Sequence, residues 1–308
     1  MKSIKFITLL FATLFIYSCG EGTVEVENTS YRPKIVIDGY LIPHQKVEKI
    51  RITRNFKIDA NLNNMSLIPE VSSTTVIITD LQTDNVYALS FHMAPDDDRR
   101  LENYYWEYNG DDLDIEYGHR YQLTVSAIIN GRELQASSIT KIPEEGFEIV
   151  NINYTELKYR EPDGKNHTKN FMLTINRAPG TTFYVNTIQA INPSKYNYVY
   201  NNPYADPDSS DVEDDLIDWS YTYDWTQDTP ETPGQTYLEM FWPYFMFYDE
   251  YRIVTMACDV NYKEFLQTYN DVQEEDGNFH EAKFNIEGDG IGVFGSVVLD
   301  TVYIKVTE

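Results

Sequence analysis

The side chains best equipped for chemistry in this chain are carboxylates and aromatic rings, and both crowd one stretch. Asp206, Asp208, Asp211, Glu213, Asp214 and Asp215 follow one another closely, and hard oxygen ligands at that density could hold calcium. The spacing departs from a helix-loop-helix calcium site: no glycine stands at the sharp turn, and ligand alternation breaks after Asp208. Asp206, Asp208 and Asp211 are therefore candidate metal ligands with a solvated acidic loop as the competing reading, and Asp96 to Asp98 invite the same one. Around them Tyr196, Tyr198, Tyr200, Tyr204, Trp219, Tyr221, Tyr223 and Trp225 alternate with Asn, Asp and Ser. Such rings combine rigid area with a polar tip, which suits protein interfaces and sugar stacking alike. In an extended stretch Trp219, Tyr221, Tyr223 and Trp225 would share one face. These eight are the candidate ligand- or partner-binding residues, whereas Phe241 to Tyr248 reads as core packing of a loop-rich domain.

Catalytic constellations are missing. There is no nucleophile elbow, no phosphate-cradling glycine loop and no paired-histidine zinc helix. Cys258 lies among Val254, Met256 and Ala257, where a thiol packs rather than reacts. His44, His92, His119, His167 and His280 are scattered without ligand spacing and read as surface or loop residues. Two carboxylates for glycoside hydrolysis can be imagined in any acidic chain, but sequence separation does not place them about one bond. The expectation is a binding protein without catalytic residues or cofactor.

The elements that would position these residues are mostly strands. Lys34 to Ile42 and Val47 to Arg54 carry the apolar pattern of strands, as do Thr74 to Thr79 and Val86 to Phe91. Tyr121 to Ile129 and Glu133 to Ile139 flank Asn130-Gly131, a pair that accepts positive φ at both central positions and so favours a type I′ hairpin. Short strands closing at Ile142-Pro143 predict an immunoglobulin-like β-sandwich over residues 33–143, without the paired cysteines of immunoglobulin domains. Phe147 to Tyr154, Asn170 to Asn176 and Thr181 to Ala190 begin a second β-rich domain over 144–308. Within it, residues 193–250 read as an aromatic-acidic insertion of long ordered loops, Tyr251 to Cys258 as a buried strand and Val297 to Val306 as the closing strand. One short helix is predicted over Asn261 to Asn270, with Tyr262, Phe265, Leu266 and Tyr269 at three-four spacing. The fold class expected is mainly β, in two domains.

The chain carries 24 basic and 49 acidic residues. That balance argues against nucleic acid and anionic lipid surfaces as partners, since both require clustered Lys and Arg. At the start, Lys2 and Lys5 precede an apolar run from Phe6 to Tyr17, and small Ser18 stands before Cys19. This is the order of a secretory signal over 1–18, with an apolar run too short to span a bilayer. Ile16-Tyr17-Ser18-Cys19 looks like a lipobox with bulky Tyr17 in a slot usually filled by a smaller residue, so lipidation of Cys19 is expected, and paired acyl chains anchor stably. Residues 19–32, with Glu21, Glu25 and Glu27, read as an acidic tether, which is either an outer-surface signal or a solvated linker.

Several segments together resemble a lipoprotein family of Bacteroidetes-type bacteria called domain of unknown function 4249. Pro33 to Tyr40 resembles its opening strand, Val47 to Arg54 the next strand, and Tyr262-Lys263-Glu264-Phe265-Leu266 its short helix. Asn285-Ile286-Glu287-Gly288-Asp289-Gly290-Ile291-Gly292-Val293-Phe294-Gly295 resembles its closing motif, in which the glycines permit tight turns or close backbone approach before the final strand. The resemblance implies a lipid-anchored outer-membrane protein, displayed at the cell surface, that captures or covers cargo for a TonB-dependent receptor. The cargo would be a small molecule, glycan or peptide. The long aromatic-acidic insertion departs from the family pattern, so no binding residue is carried over. The alternative is a structural or adhesive surface lipoprotein without a transporter, stabilised or not by calcium.

Overall fold

In the computed structural model the described residues are 31–57, 60–93, 101–165, 167–204, 222–271 and 282–308. Cys19, Asp206, Asp208, Asp211, Trp219 and Tyr221 lie outside them. Residues 33–308 form one unit, and the architecture is mainly β. Strands β1 (Ile35–Leu41) and β2 (Arg51–Arg54) open it, followed by β3 (Thr75–Asp80), β4 (Val86–Ala88), β5 (Ser90–His92) and β6 (Tyr105–Glu107). Next come β7 (Arg120–Ile129), β8 (Arg132–Lys141), β9 (Glu148–Ile152), β10 (Glu156–Lys158), β11 (Phe171–Asn176) and β12 (Phe183–Ala190). Then follow β13 (Thr222–Asp228), β14 (Gln235–Met240), β15 (Asp249–Cys258), helix α1 (Val260–Asp271), β16 (Glu287–Gly288) and the long β17 (Gly290–Thr307).

Alternation in β7 and β8 is strict, burying Tyr121, Leu123, Val125, Ala127 and Ile129 on one face. Their turn takes the expected form, with Asn130 at φ 53° and Gly131 at φ 74°. This hairpin lies in a sheet ordered β16-β8-β7-β3-β4. Its apolar face shares a core with Ile35 and Ile37 of β1, Ile50 and Ile52 near β2, Trp106 and Phe294. A second core fills the space between the sheet β14-β11-β9 and the strands β12, β15 and β17; Phe171, Leu173, Tyr184, Ile188, Phe245, Phe247, Tyr251 and Ile253 belong to it.

One sheet, ordered β13-β12-β15-β17-β1-β2, runs past both cores. Its central strand pairs in parallel with β1 over Gly290–Ser296 and antiparallel with β15 over Val297–Val306. α1 covers part of this sheet, where Tyr262 and Leu266 pack on Phe183, Val185, Cys258 and Val297. Phe265 and Tyr269 of the same helix stack on each other instead, with Phe265 also meeting Phe284.

Four local expectations require correction. The segment 193–250 is not loop throughout, because β13 and β14 pair with β12 and β11. Both stand at sheet edges, where polar residues are tolerated and the apolar signature of a strand is weak. The glycine-rich closing motif does not lie wholly before the last strand: Glu287–Gly288 form β16, and Gly290 to Gly295 are already the first part of β17. Val47 to Arg54 is strand only from Arg51, since Lys49 takes φ 60°. Val86 to Phe91 splits into β4 and β5, which pair with different partners.

Candidate functional site

Between β10 and β11 the chain makes a small hairpin whose tip is organised by Asp163. Its carboxylate accepts the N–H groups of Lys165 (2.6 Å) and His167 (3.1 Å). Those two backbone bonds, the Lys165 one foremost, hold the Asp163 carboxyl below the usual range. The hairpin carries His167 and Thr168 to a rim completed by the segment after β14. There Asn170 accepts the N–H of Trp242 (3.2 Å) and donates its amide to Glu239 (2.9 Å). Pro243 lies within a short 3-10 turn, Trp242–Tyr244, and its fixed φ suits that turn. Asn202 clamps the opposite side: its amide donates to the Pro243 carbonyl (2.8 Å), and its oxygen accepts the Tyr204 N–H (2.8 Å). Phe245 and Phe247, fully buried just beyond, root the turn in the second core.

The result is an open cleft of about 370 Å³ lined by His167, Thr168, Asn170, Tyr204, Phe241, Trp242, Pro243 and Tyr244. Tyr204 is 67% and Phe241 48% exposed. The Phe241 and Tyr244 rings meet edge-on at 5.8 Å, and Tyr244 leans toward Trp225 at 6.5 Å. Arg160 sits with its guanidinium carbon 5.2 Å from the centre of the Trp242 ring, a cation–π contact that steadies it. Among the described residues that line it none is Lys, Arg, Asp or Glu, in a chain of net charge −25. Such a lining offers flat apolar surface plus amide, hydroxyl and imidazole groups. It suits an uncharged ligand with both apolar faces and hydroxyls or amides.

Of the eight aromatic candidates, Tyr204 lines this cleft and Trp225 supports it from behind. Tyr196 and Tyr200 are exposed on the preceding loop, while Tyr198 is half-buried between Tyr200 and Phe247 at 5.0 and 5.3 Å. Tyr223 contributes to β13 through its backbone pairing with Ile188. Sequence reasoning placed Phe241 to Tyr248 in the core, which holds for Phe245, Met246 and Phe247; Trp242, Tyr244 and Tyr248 are partly buried against that core, Trp242 and Tyr244 also line the cleft, and Phe241 lines it exposed. Pro243 was the available signal, because a proline inside an aromatic run interrupts a strand and turns neighbouring rings outward. His167, Thr168 and Asn170 gave none, being brought in only by the turn at Asp163.

The family model described as Domain of unknown function (DUF4249) matches residues 21–300, most of the chain. The chain belongs to DUF4249. No curated protein matches it. In this DUF4249 chain a second cavity, of about 540 Å³, opens at the start of α1 beside Lys141, Thr181, Glu231, Asp259 and Lys263. Both of its lysines are engaged locally, Lys141 with Glu144 (2.6 Å) and Lys263 with Thr182 (3.1 Å) and Asp228 (3.3 Å). Cys258 also lines it, but burial pushes the thiol far up, so it stays protonated and a poor nucleophile. Asp259 is committed to capping the helix: its Oδ1 accepts the Tyr262 N–H at 2.9 Å. The aromatic cleft is therefore the better candidate for ligand binding.

Proposed function

We propose that this protein is a lipid-anchored, non-catalytic binding module that holds an uncharged ligand, a glycan or peptide, in the aromatic cleft. In this reading acylated Cys19 keeps it at the outer membrane, where it serves as a cargo-capturing accessory to a TonB-dependent receptor. The carrying observation is the aromatic lining, without Lys, Arg, Asp or Glu among the described residues, in a strongly acidic chain. The volume, about 370 Å³, falls at the small end of the range of ligand pockets. The signal-and-cysteine order at residues 1–19 and the family membership support the anchor and the receptor. No helix among the described residues is long and apolar enough to cross a membrane.

Calorimetry of the mature protein against uncharged oligosaccharides and neutral peptides tests the cleft. Replacing both Tyr204 and Phe241 with alanine is expected to weaken a binder about tenfold or more, or about 1.4 kcal/mol. A binder whose affinity ignores both changes does not use this cleft. Purification of the lipidated protein in mild detergent tests the receptor: a large β-barrel should accompany it, and a clean monomer counts against that half of the reading.

A further inference from the structure

We propose that His44, Asp114 and Glu116 form a binding site for one divalent transition-metal ion of the zinc class. The site lies on the first core and is independent of the aromatic cleft. Asp114 and Glu116 flank Ile115, which is fully buried. In extended chain, residues two apart point the same way, so the inward Ile115 sends both carboxylates outward together. The buried Tyr121 hydroxyl fixes that segment from beneath, donating to the Asp114 carbonyl (3.1 Å) and accepting the Glu116 N–H (2.9 Å).

His44 arrives from the turn after β1, far away in sequence. Its N–H donates to the Ile115 carbonyl (3.0 Å), and its ring meets Tyr117 edge-on at 5.4 Å. Nδ1 stands 3.1 and 3.3 Å from the two Asp114 oxygens. One ligand atom from each of His44, Asp114 and Glu116 falls within 4.8 Å of the others. Two ligands bound to one tetrahedral zinc at ordinary bond lengths are about 3.3 Å apart. His44 and Asp114 already stand at that separation, and the Glu116 carboxylate, exposed and within 4.8 Å of both, can complete the set by rotation of its side chain.

The donor chemistry selects the ion. An imidazole nitrogen with two carboxylates suits zinc-class metals, whereas calcium takes six to eight oxygens and magnesium prefers water and carboxylate. Three protein ligands leave a position for water. An exposed His–Asp pair alone contributes little to stability and gives no reason for a third ligand on the same side. The acidic chain also raises the local concentration of cations. Bound metal would clip the turn after β1 to the segment that leads into β7.

Isothermal titration of the tag-free protein with zinc chloride, with calcium chloride in parallel, decides the matter. The expected result is one zinc per chain, about tenfold or more weaker in His44→Ala, weakened also in Glu116→Gln, and no calcium binding that depends on His44. Circular dichroism should show both variants folded, as both side chains are exposed; His44→Gln provides a second imidazole-free variant should His44→Ala unfold. Absence of zinc binding, zinc binding indifferent to loss of the imidazole, or calcium binding lost with it would overturn the assignment.

Discussion

Asp259 is a carboxylate in a place where burial disfavours charge, with only 6% of its surface exposed. Desolvation is the largest influence on its carboxyl and raises its pKa above the ordinary 3.8, against the pull of the Thr140 hydroxyl and nearby backbone N–H groups. Thr140 donates to Oδ2 at 2.7 Å and lies 2.8 Å from the Ser296 hydroxyl, which donates to the Lys141 carbonyl at 2.9 Å. An asparagine here could still accept the Tyr262 N–H and donate to Thr140, whose proton could turn to Ser296. We expect Asp259→Asn to be at least as stable as the parent at neutral pH, and Asp259→Ala to lose about 2 kcal/mol through the missing cap and an orphaned hydroxyl. Because the folded state binds the Asp259 proton more tightly than the unfolded chain, stability falls as pH rises from 3.8 through the raised pKa, and the Asp259 contribution is greatest below that window. The advantage of Asp259→Asn should therefore shrink on acidification. Urea melts at several pH values measure this, and an asparagine variant as damaged as the alanine one would refute the argument.

Among the elements, legibility followed how much of the pattern each strand carried in its own sequence. The β7–β8 hairpin was plain because strict alternation meets Asn130-Gly131, a turn with a stereochemical reason. β13 and β14 were opaque because Thr222–Asp228 and Gln235–Met240 mix rings with polar residues at sheet edges. The glycines of β17 left two readings open for a different reason. Glycine alone does not distinguish a turn from close backbone contact, and Gly292 serves the second purpose. It takes φ 105°, and a Cβ there would fall 2.0 Å from the Ile37 carbonyl oxygen of β1. Gly131 also has positive φ, 74°, but a Cβ there would meet nothing within 4 Å. Gly292→Ala should cost on the order of 3 kcal/mol or prevent folding, since a backbone carbonyl must shift. Gly131→Ala should cost about 1 kcal/mol, a conformational effect alone. Chemical denaturation of the two variants separates these mechanisms, and equal losses would dismiss the steric one.

At the scale of the molecule, residues distant in sequence act together, and this is where sequence reasoning stops earliest. The aromatic ingredients of the cleft were legible, but not their sorting: Tyr204 reaches it through Asn202, and Asn170 through a turn organised by Asp163. His44 and Asp114 likewise looked unrelated until Ile115 joined their segments. The same holds for the two cores. β17 gives Phe294 to the first and Val298, Ile304 and Val306 to the second, within one strand whose ladders with β1 and β15 share no break. Loss of packing in one core should then loosen the other. Phe171 is fully buried in the second core, and Phe171→Ala there should remove about 3 to 5 kcal/mol. If the strand couples the cores, hydrogen exchange in mild denaturant will show amides of β7, in the first core, losing protection together with those of β11, because both open by the same global unfolding. Protection lost in β11 alone would mean that the cores open independently, with β17 parting between Ser296 and Val297, where its pairing passes from β1 to β15.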